Sequence, residues 1–465
     1  MIDDLKPYAE YKESGVSWLG KVPVHWGMPP GFAAFREKCV KNIGMQEDTV
    51  LSLSYGRIVV KPKDKLHGLV PESFETYQIV TPGDIIVRST DLQNDWNSMR
   101  VGLVRDRGII TSAYLCFQVI SPLSPEYAHA LLHTFDLMKV FYGLGSGLRQ
   151  NLSFIDFKRM LILTPPPDEQ AAIVKFLDYA NGKIERAIRA KRKLIGLLNE
   201  QKQAIIHRAV TRGLDPNVTL KPSGIPWLGD VPEHWETARL GQWVQIERGK
   251  FTHRPRNDPR FYGGKYPFIQ TGDISAAHKY IEQHSQTLNE RGLLVSKIFK
   301  AGTLAMIITG AKTGHVAILN FDACFPDSAV ALIPKGTKVR SNFLYYMSIQ
   351  LKSELDRIAI TSTQENLNLQ RLRSQWTIWP PVEEQAFIES WLDDELSSIN
   401  LIEAKVAREI ILLREYRTTL TAEVVTGKLD VREAAKRLPD QADEPLPADD
   451  SLEDLDDEIV EEIEA

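Results

Sequence analysis

Few residues in this 465-residue chain have the types and spacing that catalysis requires. His129 and His133 stand at positions i and i+4, a spacing that binds zinc in metalloproteases, but the glutamate that acts there as general base is missing. The acidic pairs at 168–169 and 383–384 follow prolines, where carboxylates stabilise the first turn of a helix rather than form an acid/base couple. We therefore predict no catalytic residue and no metal site in this chain.

Cofactor-binding motifs are also missing from the sequence. TGAKTGHV (309–316) lacks the first glycine and the Gly-Lys step of a phosphate-binding loop, and GLGSGL (143–148) is followed by RQNLS instead of an apolar helix. The chain has no Asp/Asn-Pro-Pro-Tyr/Phe run of the kind that amino-methyltransferases use to hold a flipped adenine. We expect no cofactor on this chain.

The charge of the chain is unevenly distributed. The net charge is −5, but residues 440–465 contain thirteen Asp/Glu and no Lys/Arg. Without that segment, 56 basic residues face 48 acidic ones, a net charge of +8. The body of the protein therefore favours a polyanionic partner, and the tail opposes one.

The strongest signal is an internal duplication. KESGVSWLGKVPVHW (12–26) and KPSGIPWLGDVPEHW (221–235) are identical at ten of fifteen positions. TPPPDEQAAIVKFLD (164–178) matches WPPVEEQAFIESWLD (379–393) in the same order and at nearly the same offset. The sequence thus predicts a tandem duplication of one unit of about 210 residues, too long for a solenoid repeat.

A long helix is predicted at the end of each copy. Prolines at 165–167 and 380–381 precede an acidic first turn, and forty-odd residues without proline follow. Apolar residues recur there in steps of three and four, from Ile173 to Ala209 and from Ile388 to Val424, which is the pattern of a coiled-coil seam. We predict that the two helices pair antiparallel; the alternative is that each packs separately on its own globule.

The sequence before each helix predicts a mixed globule. Short β-branched runs alternate with turn residues, as in IVTPGDIIVRS and GTLAMIITG. The predicted fold class is α/β (α+β), with two similar globules joined by the long helices and related by a pseudo-twofold. The predicted segments are a first globule (1–163), a first helix (164–215), a second globule (216–378), a second helix (379–432) and an acidic tail without fixed structure (433–465).

Secretion and membrane insertion are not indicated. Three cysteines are too few for a disulfide scaffold, and the N-terminal MIDDLKPYAEYKES is too acidic for a signal peptide. No stretch approaches the roughly 18 uninterrupted apolar residues that a membrane span needs. We therefore expect a cytoplasmic protein.

Three stretches resemble the specificity subunit of type I restriction–modification enzymes. They are GSGLRQNLSFIDFKRMLILTPPPDEQAAIVKFLD, its counterpart STQENLNLQRLRSQWTIWPPVEEQAFIESWLD, and the linker LKPSGIPWLGDVPEHW. The resemblance covers the chain to about residue 432, and the acidic tail departs from it. It implies a non-catalytic DNA-binding subunit in which each globule is a target recognition domain for one half of a bipartite site, while the helices set the gap between the halves.

The resemblance also implies the partners. Two modification subunits would dock on the helices and supply the S-adenosylmethionine chemistry, and restriction subunits would add the translocation and cleavage that use ATP and Mg. This chain would bind double-stranded DNA and no cofactor of its own.

Basic and small polar side chains are the candidates for DNA contacts, because lysine and arginine bind phosphates and polar groups bind base edges. In the first globule these are Ser54, Tyr55, Arg57, Lys61, Lys63, Arg88, Thr90 and Asn94, with Arg149 and Gln150 before the long helix. In the second globule they are Arg248, Lys250, His253, Arg254, Arg256, Arg260, Thr271, Lys312 and Thr313, with Gln364 before the long helix. A solvated hairpin or loop without DNA contact is the alternative for 52–65 and for 247–266.

The duplicated tryptophan linker, with Trp18, Trp26, Trp227 and Trp235, is predicted to lock each globule to the helix ends, since both halves need it. Two other functions stay open: a self-contained DNA methyltransferase or nuclease with degenerate motifs, and a coiled-coil scaffold that binds only protein. Methyl transfer by the chain alone would indicate the enzyme, and a steep salt dependence of DNA binding would exclude the scaffold.

Overall fold

The structure is a computed structural model that describes residues 5–54, 56–61, 73–92, 99–120, 122–144, 151–310, 312–360 and 367–439. The described chain divides into two units, one formed by residues up to 189 with residues 409–439, and the other by residues 190–408. Each unit combines one globule with parts of both long helices.

The described part of the first globule contains short strands and three α-helices. The strands are β1 (Tyr11–Glu13), β2 (Lys21–Pro23), β3 (Phe35–Glu37), β4 (Leu51–Ser54), β5 (Arg57–Val60), β6 (Gln78–Val80), β7 (Ile85–Val87), β8 (Val101–Leu103), β9 (Gly108–Ile110) and β10 (Leu115–Val119), and the helices are α1 (Gly31–Ala34), α2 (Pro125–Leu137) and α3 (Phe154–Lys158). An antiparallel sheet of order β3–β10–β7–β8 is the centre of this globule. The ribbons β1–β2, β4–β5 and β6–β9 accompany it.

The long helix α4 (Pro167–Arg212) leads into the second globule. The strands there are β11 (Leu220–Pro222), β12 (Asp230–Pro232), β13 (Glu236–Arg239), β14 (Val244–Arg248), β15 (Tyr262–Phe268), β16 (Tyr280–Ile281), β17 (Gln286–Leu288), β18 (Ile298–Phe299), β19 (Leu304–Ile307), β20 (Val316–Leu319), β21 (Ala323–Cys324), β22 (Ala329–Pro334) and β23 (Trp376–Trp379). The helices are α5 (Leu240–Trp243), α6 (Thr271–Ala276), α7 (Glu290–Leu294), α8 (Ser341–Ile360), α9 (Leu369–Arg373), the second long helix α10 (Val382–Val425) and α11 (Arg432–Lys436).

Each globule has its own central sheet, and the two sheets have the same strand order over four strands. The globules differ in the strands that are added to this sheet. The second sheet has the order β14–β22–β19–β20–β16, so its first four strands repeat the order and the antiparallel pairing of the first globule. The second globule adds β16, parallel to β20, and a further sheet of order β17–β15–β21–β18. The duplication predicted from the sequence is thus visible in the strand order.

The predicted apolar seam of the long helices is buried. Ile173 and Leu177 of α4 belong to the same core as Leu420 and Val424 of α10 in the first unit. The second unit has a corresponding core, with Ala209 and Val210 of α4 and Ile388 and Leu392 of α10.

The acidic tail begins later than predicted. Helix α11 falls at the start of the segment 433–465, for which no fixed structure was expected, and Ala435 and Leu438 are buried in the core of the first unit. The prediction is wrong for residues 433–438, because these apolar side chains pack on the globule; residues 440–465 lie outside the described residues. Among the helices that are described, none is long and apolar enough to cross a membrane.

Candidate nucleic-acid interface

The densest basic stretch of the second globule, residues 248–260, forms a loop between β14 and β15 that we call the basic loop. Its start is fixed to the sheet, because the backbone N–H of Lys250 donates to the carbonyl of Phe325 at 3.0 Å. A Cβ at Gly249 would lie 2.2 Å from the carbonyl oxygen of Pro326, so glycine is required for this close approach. Phe251 is buried and anchors the loop in an apolar cluster.

The basic loop brings together six of the residues that were predicted from the sequence. The His253 ring is half-buried and stacks on Phe261 with a centroid distance of 4.1 Å. The other five are exposed: Arg248, Lys250, Arg254, Arg256 and Arg260. A cluster of exposed cations on a fixed loop suits contact with a polyanion.

Carboxylates hold three of these arginines. Asp327 pairs with both Arg254 and Arg256, and Asp258 accepts from the Nε of Arg260 at 3.0 and 3.1 Å. These hydrogen bonds from Arg260 hold the pKa of the Asp258 carboxyl well below its usual range. Sequence reasoning counted the basic residues and missed the pairing by Asp327, which lies 71 residues from Arg256 and carries no local signal.

The other predicted residues of the second globule lie outside the basic loop. Thr271 is half-buried at the first position of α6, after the N-cap residue Gln270. Lys312 and Thr313 lie in the turn between β19 and β20, where the Thr313 hydroxyl donates to the carbonyl of Gly310 at 2.7 Å. This turn therefore uses the Thr313 hydroxyl for its own structure.

The first predicted cluster of the first globule lies on an antiparallel hairpin. Strands β4 and β5 pair Ser54 with Arg57 at its end, and the side chains of Arg57 and Lys61 are exposed. The described part of the stretch 52–65 is therefore a hairpin with exposed cations. Contact with DNA at this hairpin remains a prediction.

A buried arginine shapes the second predicted cluster of the first globule. The side chain of Arg100 is 0% exposed, and its Nη1 donates to the carbonyls of Thr90 at 2.8 Å and of Arg88 at 3.3 Å. Its backbone N–H donates to Asp136 at 2.6 Å. Sequence reasoning missed Arg100, because nothing in the local sequence separates a buried arginine from an exposed one.

Each globule also joins two candidate segments that are distant in sequence. In the first globule the N–H of Leu152 donates to the carbonyl of Ser89 at 2.7 Å, so the chain after residue 150 meets the loop that carries Arg88. In the second globule the N–H of Leu367 donates to the carbonyl of Ile308 at 3.0 Å, next to the β19–β20 turn. Six predicted residues lie outside the described ranges: Tyr55, Lys63, Asn94, Arg149, Gln150 and Gln364.

In the first unit, the duplicated motifs form a latch between the globule and α4. The Trp26 indole donates to one carboxylate oxygen of Glu169 at 3.1 Å, and the His25 ring lies 2.9 Å from the other oxygen. The amide oxygen of Gln170 accepts from the backbone N–H of Ser124 at 2.8 Å. The tryptophan linker and the DEQ triplet thus serve one structural contact at the start of the helix.

The second unit repeats this latch with its own copy of the motifs. The Trp235 indole and the His234 ring lie 3.0 and 2.8 Å from one oxygen of Glu384. The amide oxygen of Gln385 accepts from the backbone N–H of Arg340 at 2.9 Å. This supports a structural role for the duplicated tryptophans Trp26 and Trp235 over base stacking.

The two histidines at i and i+4 form a stacked pair. The ring centroids of His129 and His133 are 5.8 Å apart, and burial lowers the pKa of each ring to about 4. No group of three or more potential metal ligands occurs among the described residues. The pair therefore fits the interpretation of a half-buried helix face.

The chain is similar to proteins of type I restriction–modification systems. Residues 232–410 match the family described as Type I restriction modification DNA specificity domain. Two relatives come from Methanocaldococcus jannaschii: the Type I restriction enzyme MjaVIII specificity subunit (25% identical, covering 76% of this chain and 82% of the relative) and the Putative type I restriction enzyme MjaX specificity subunit (24% identical, 67% and 69%).

A solved structure is similar in fold. A chain from a study of the structural basis of complex assembly and conformational transition of the type I R-M system superposes with a TM-score of 0.64. It is 16% identical, and the match covers 88% of this chain and 99% of that chain. At this identity the likeness shows the fold alone.

Proposed function

Because the chain belongs to the family of type I restriction–modification specificity subunits, we propose that it is the subunit that recognises the DNA sequence in a type I restriction–modification complex. Each globule binds one half of a bipartite site in double-stranded DNA. One observation carries this proposal. Each unit has a four-stranded sheet of the same strand order and the same latch, which together we call the frame, and the loops on the two frames differ.

The loops that differ are the candidates for reading DNA. Two copies of one frame with identical loops would read identical half-sites, whereas these copies present unlike surfaces. The first has the β4–β5 hairpin and the loop at 88–91, and the second has the basic loop and the β19–β20 turn. Phosphate contacts then position each globule, and polar side chains on the loops read base edges.

The long helices are proposed to pair antiparallel and to set the number of base pairs between the half-sites. Within the first unit, Arg417 of α10 donates to Glu185 of α4 at 3.2 Å. Within the second unit, Lys202 of α4 pairs with Glu403 of α10. These ion pairs join the two helices and support a fixed register between them.

The start of α10 is the proposed docking surface for a modification subunit. Phe387 and Trp391, one helical turn apart, are 72% and 38% exposed, whereas the equivalent of Trp391 in the first unit, Phe176, is 3% exposed. Residues 382–397 contain six acidic side chains and no basic one. Glu384, Glu389 and Asp393 pair with His234, Arg340 and Lys279, and the other three carboxylates disfavour DNA at this surface. Exposed aromatic side chains are typical anchors of protein interfaces.

The chemistry of the complex belongs to the partner subunits. We propose that this chain is non-catalytic and binds no cofactor. Two modification subunits bind S-adenosylmethionine, and restriction subunits bind ATP and Mg. The complex acts on DNA, so we place it in the cytoplasm.

The test is to co-express the chain with its modification subunit and to map methylated adenines across a genome. We expect one motif with two short, unlike half-sites. Replacing residues 16–160 by the same region of a relative should change one half only, and the matched replacement of 225–375 should change the other half only. Methylation that does not require this chain would contradict the proposal.

The docking surface is tested separately. Phe387→Ser with Trp391→Ser should abolish co-purification of the modification subunit. Leu294→Ser is the matched control, because Leu294 is an apolar side chain of the second globule that is 83% exposed and lies at the end of α7 rather than on α10. Unchanged co-purification of the double variant would place docking elsewhere.

A further inference from the structure

We propose that Asp327 is a positioning residue of the DNA-binding surface of the second globule. Its single carboxylate holds the guanidinium groups of Arg254 and Arg256 in fixed positions, and it thereby raises sequence discrimination at the cost of affinity. This inference rests on the proposed function, because it assumes that the basic loop contacts DNA.

The geometry shows one carboxylate shared by two arginines. Nη2 of Arg254 donates to Oδ2 of Asp327 at 3.1 Å, and Nη2 of Arg256 donates to Oδ1. Nη1 of Arg254 also donates to the carbonyls of Phe251 at 2.5 Å and of His253 at 2.8 Å. The side chains of Arg254 and Arg256 are 51% and 46% exposed, so each guanidinium is anchored on one side and open on another.

The Asp327 carboxylate joins the basic loop to the connection between two sheets. Asp327 lies in the short connection between β21 and β22, both of which are buried strands. The preceding residue, Pro326, is the one whose carbonyl oxygen requires glycine at position 249. The arginines belong to the basic loop, whereas Asp327 belongs to the connection between two buried strands, so this connection orients both guanidinium groups.

The negative charge of a carboxylate at this position is unfavourable for binding phosphates. Its charge repels DNA, so an arrangement that served affinity alone would favour a neutral side chain here. An arginine that reads guanine must present two N–H groups in a fixed fork, and a free arginine loses rotamer entropy when it adopts that geometry. A carboxylate that orients the guanidinium in advance reduces this loss.

Asp322 provides a matched control on the same globule. It also pairs with a cation, Lys300, but neither residue belongs to the basic loop or to the other predicted DNA contacts. Replacing Asp322 or Asp327 by asparagine removes one negative charge from the second globule. Only the change at position 327 takes the shared carboxylate away from Arg254 and Arg256, whereas the carbonyls of Phe251 and His253 still hold Nη1 of Arg254.

The experiment compares Asp327→Asn with Asp322→Asn in the full chain complexed with its modification subunit. Affinity is measured for a duplex with the mapped site and for duplexes with single base-pair changes in the second half-site, at several salt concentrations. We expect both variants to bind unrelated DNA more tightly than the wild type. Asp327→Asn should lose about tenfold of its discrimination within that half-site, while Asp322→Asn retains it within about twofold.

A second variant separates geometry from charge. Asp327→Glu keeps the charge and the acceptor oxygens but moves them by one methylene, so discrimination should fall without a gain in affinity for unrelated DNA. Thermal unfolding of each complex serves as the folding control.

Three outcomes would overturn the proposal. Unchanged discrimination in Asp327→Asn would mean that Asp327 only neutralises the charge of the two arginines and does not position them. Asp327→Asn could instead change the preferred base at one base pair while Arg254→Lys and Arg256→Lys leave that preference unchanged. Asp327 would then contact the base itself. Equal affinity of the wild-type complex for every duplex would refute the proposed function, and the role of Asp327 with it.

Discussion

Replacing the two equivalent latch tryptophans by phenylalanine should destabilise the two units unequally. Both indoles are buried, Trp26 at 0% and Trp235 at 1% exposure, and both donate to a glutamate in the first turn of a long helix. The acceptors differ, because the side chain of Glu169 is 2% exposed and that of Glu384 is 30% exposed. Comparing Trp26→Phe with Trp235→Phe therefore measures how burial of the acceptor carboxylate affects stability.

The expected losses in the free energy of unfolding depend on whether water can replace the lost indole N–H as the donor to the glutamate. A hydrogen bond to a charged group contributes about 1.5–3 kcal/mol, and a buried acceptor left without its donor adds to the loss. Water can reach Glu384 but not Glu169, so we expect Trp26→Phe to lower the free energy of unfolding by about 3–4 kcal/mol and Trp235→Phe by about 1.5–2 kcal/mol. The smaller ring removes a similar apolar area at both sites, so this contribution cancels in the difference.

Native-state hydrogen exchange can measure both units in one protein. Peptides that cover residues 20–27 and 229–236 report the opening free energy of the first and second latch. We expect Trp26→Phe to increase exchange mainly in the first unit, by the larger amount. Equal losses at the two sites, or a larger loss for Trp235→Phe, would refute the argument from acceptor burial.

Three other changes test the basic loop, the histidine pair and the thiols. Gly249→Ala should weaken binding of DNA that carries only the second half-site, because the new Cβ would lie 2.2 Å from the carbonyl oxygen of Pro326 and the loop must move; an unchanged Kd would contradict this. His129 and His133 have pKa values near 4, below the 6.5 of a free ring, so the unfolded chain binds more protons between these values. Stability should therefore fall as the pH is lowered from 6.5 to 4, and urea midpoints of a double glutamine variant should show a flatter dependence. Cys39 is exposed and the other two cysteines are buried, so a thiol reagent should modify one cysteine in the native protein and three after unfolding.

The long helices and their apolar seam could be predicted from the sequence, because their signals are local or repeated. Prolines and acidic residues mark the starts of α4 and α10, and the steps of three and four identify the seam that is buried. The linker tryptophans could be assigned a structural role because they recur in both halves. The domain boundaries and the residues that contact DNA stay predictions.

The loops could be located by composition, but their contacts could not. The basic stretch 248–260 is visible in the sequence, whereas the pairing of Asp327 with Arg254 and Arg256 depends on a turn more than seventy residues away. Arg100 has the same charge as the exposed candidates, yet it is buried and holds the loop at Arg88. The start of the tail was misplaced because the packing of Ala435 and Leu438 is decided by distant core residues.

The sequence by itself determined the duplication, the long helices, the apolar seam and the uneven charge, because each depends on residues that are close in the chain or repeated along it. Only the tertiary structure decided the strand order, the extra sheet of the second globule, the partner of each latch and the anchoring of the arginines. These features join residues that are distant in sequence. A carboxylate acts on an arginine through distance and exposure, and both are properties of the folded chain.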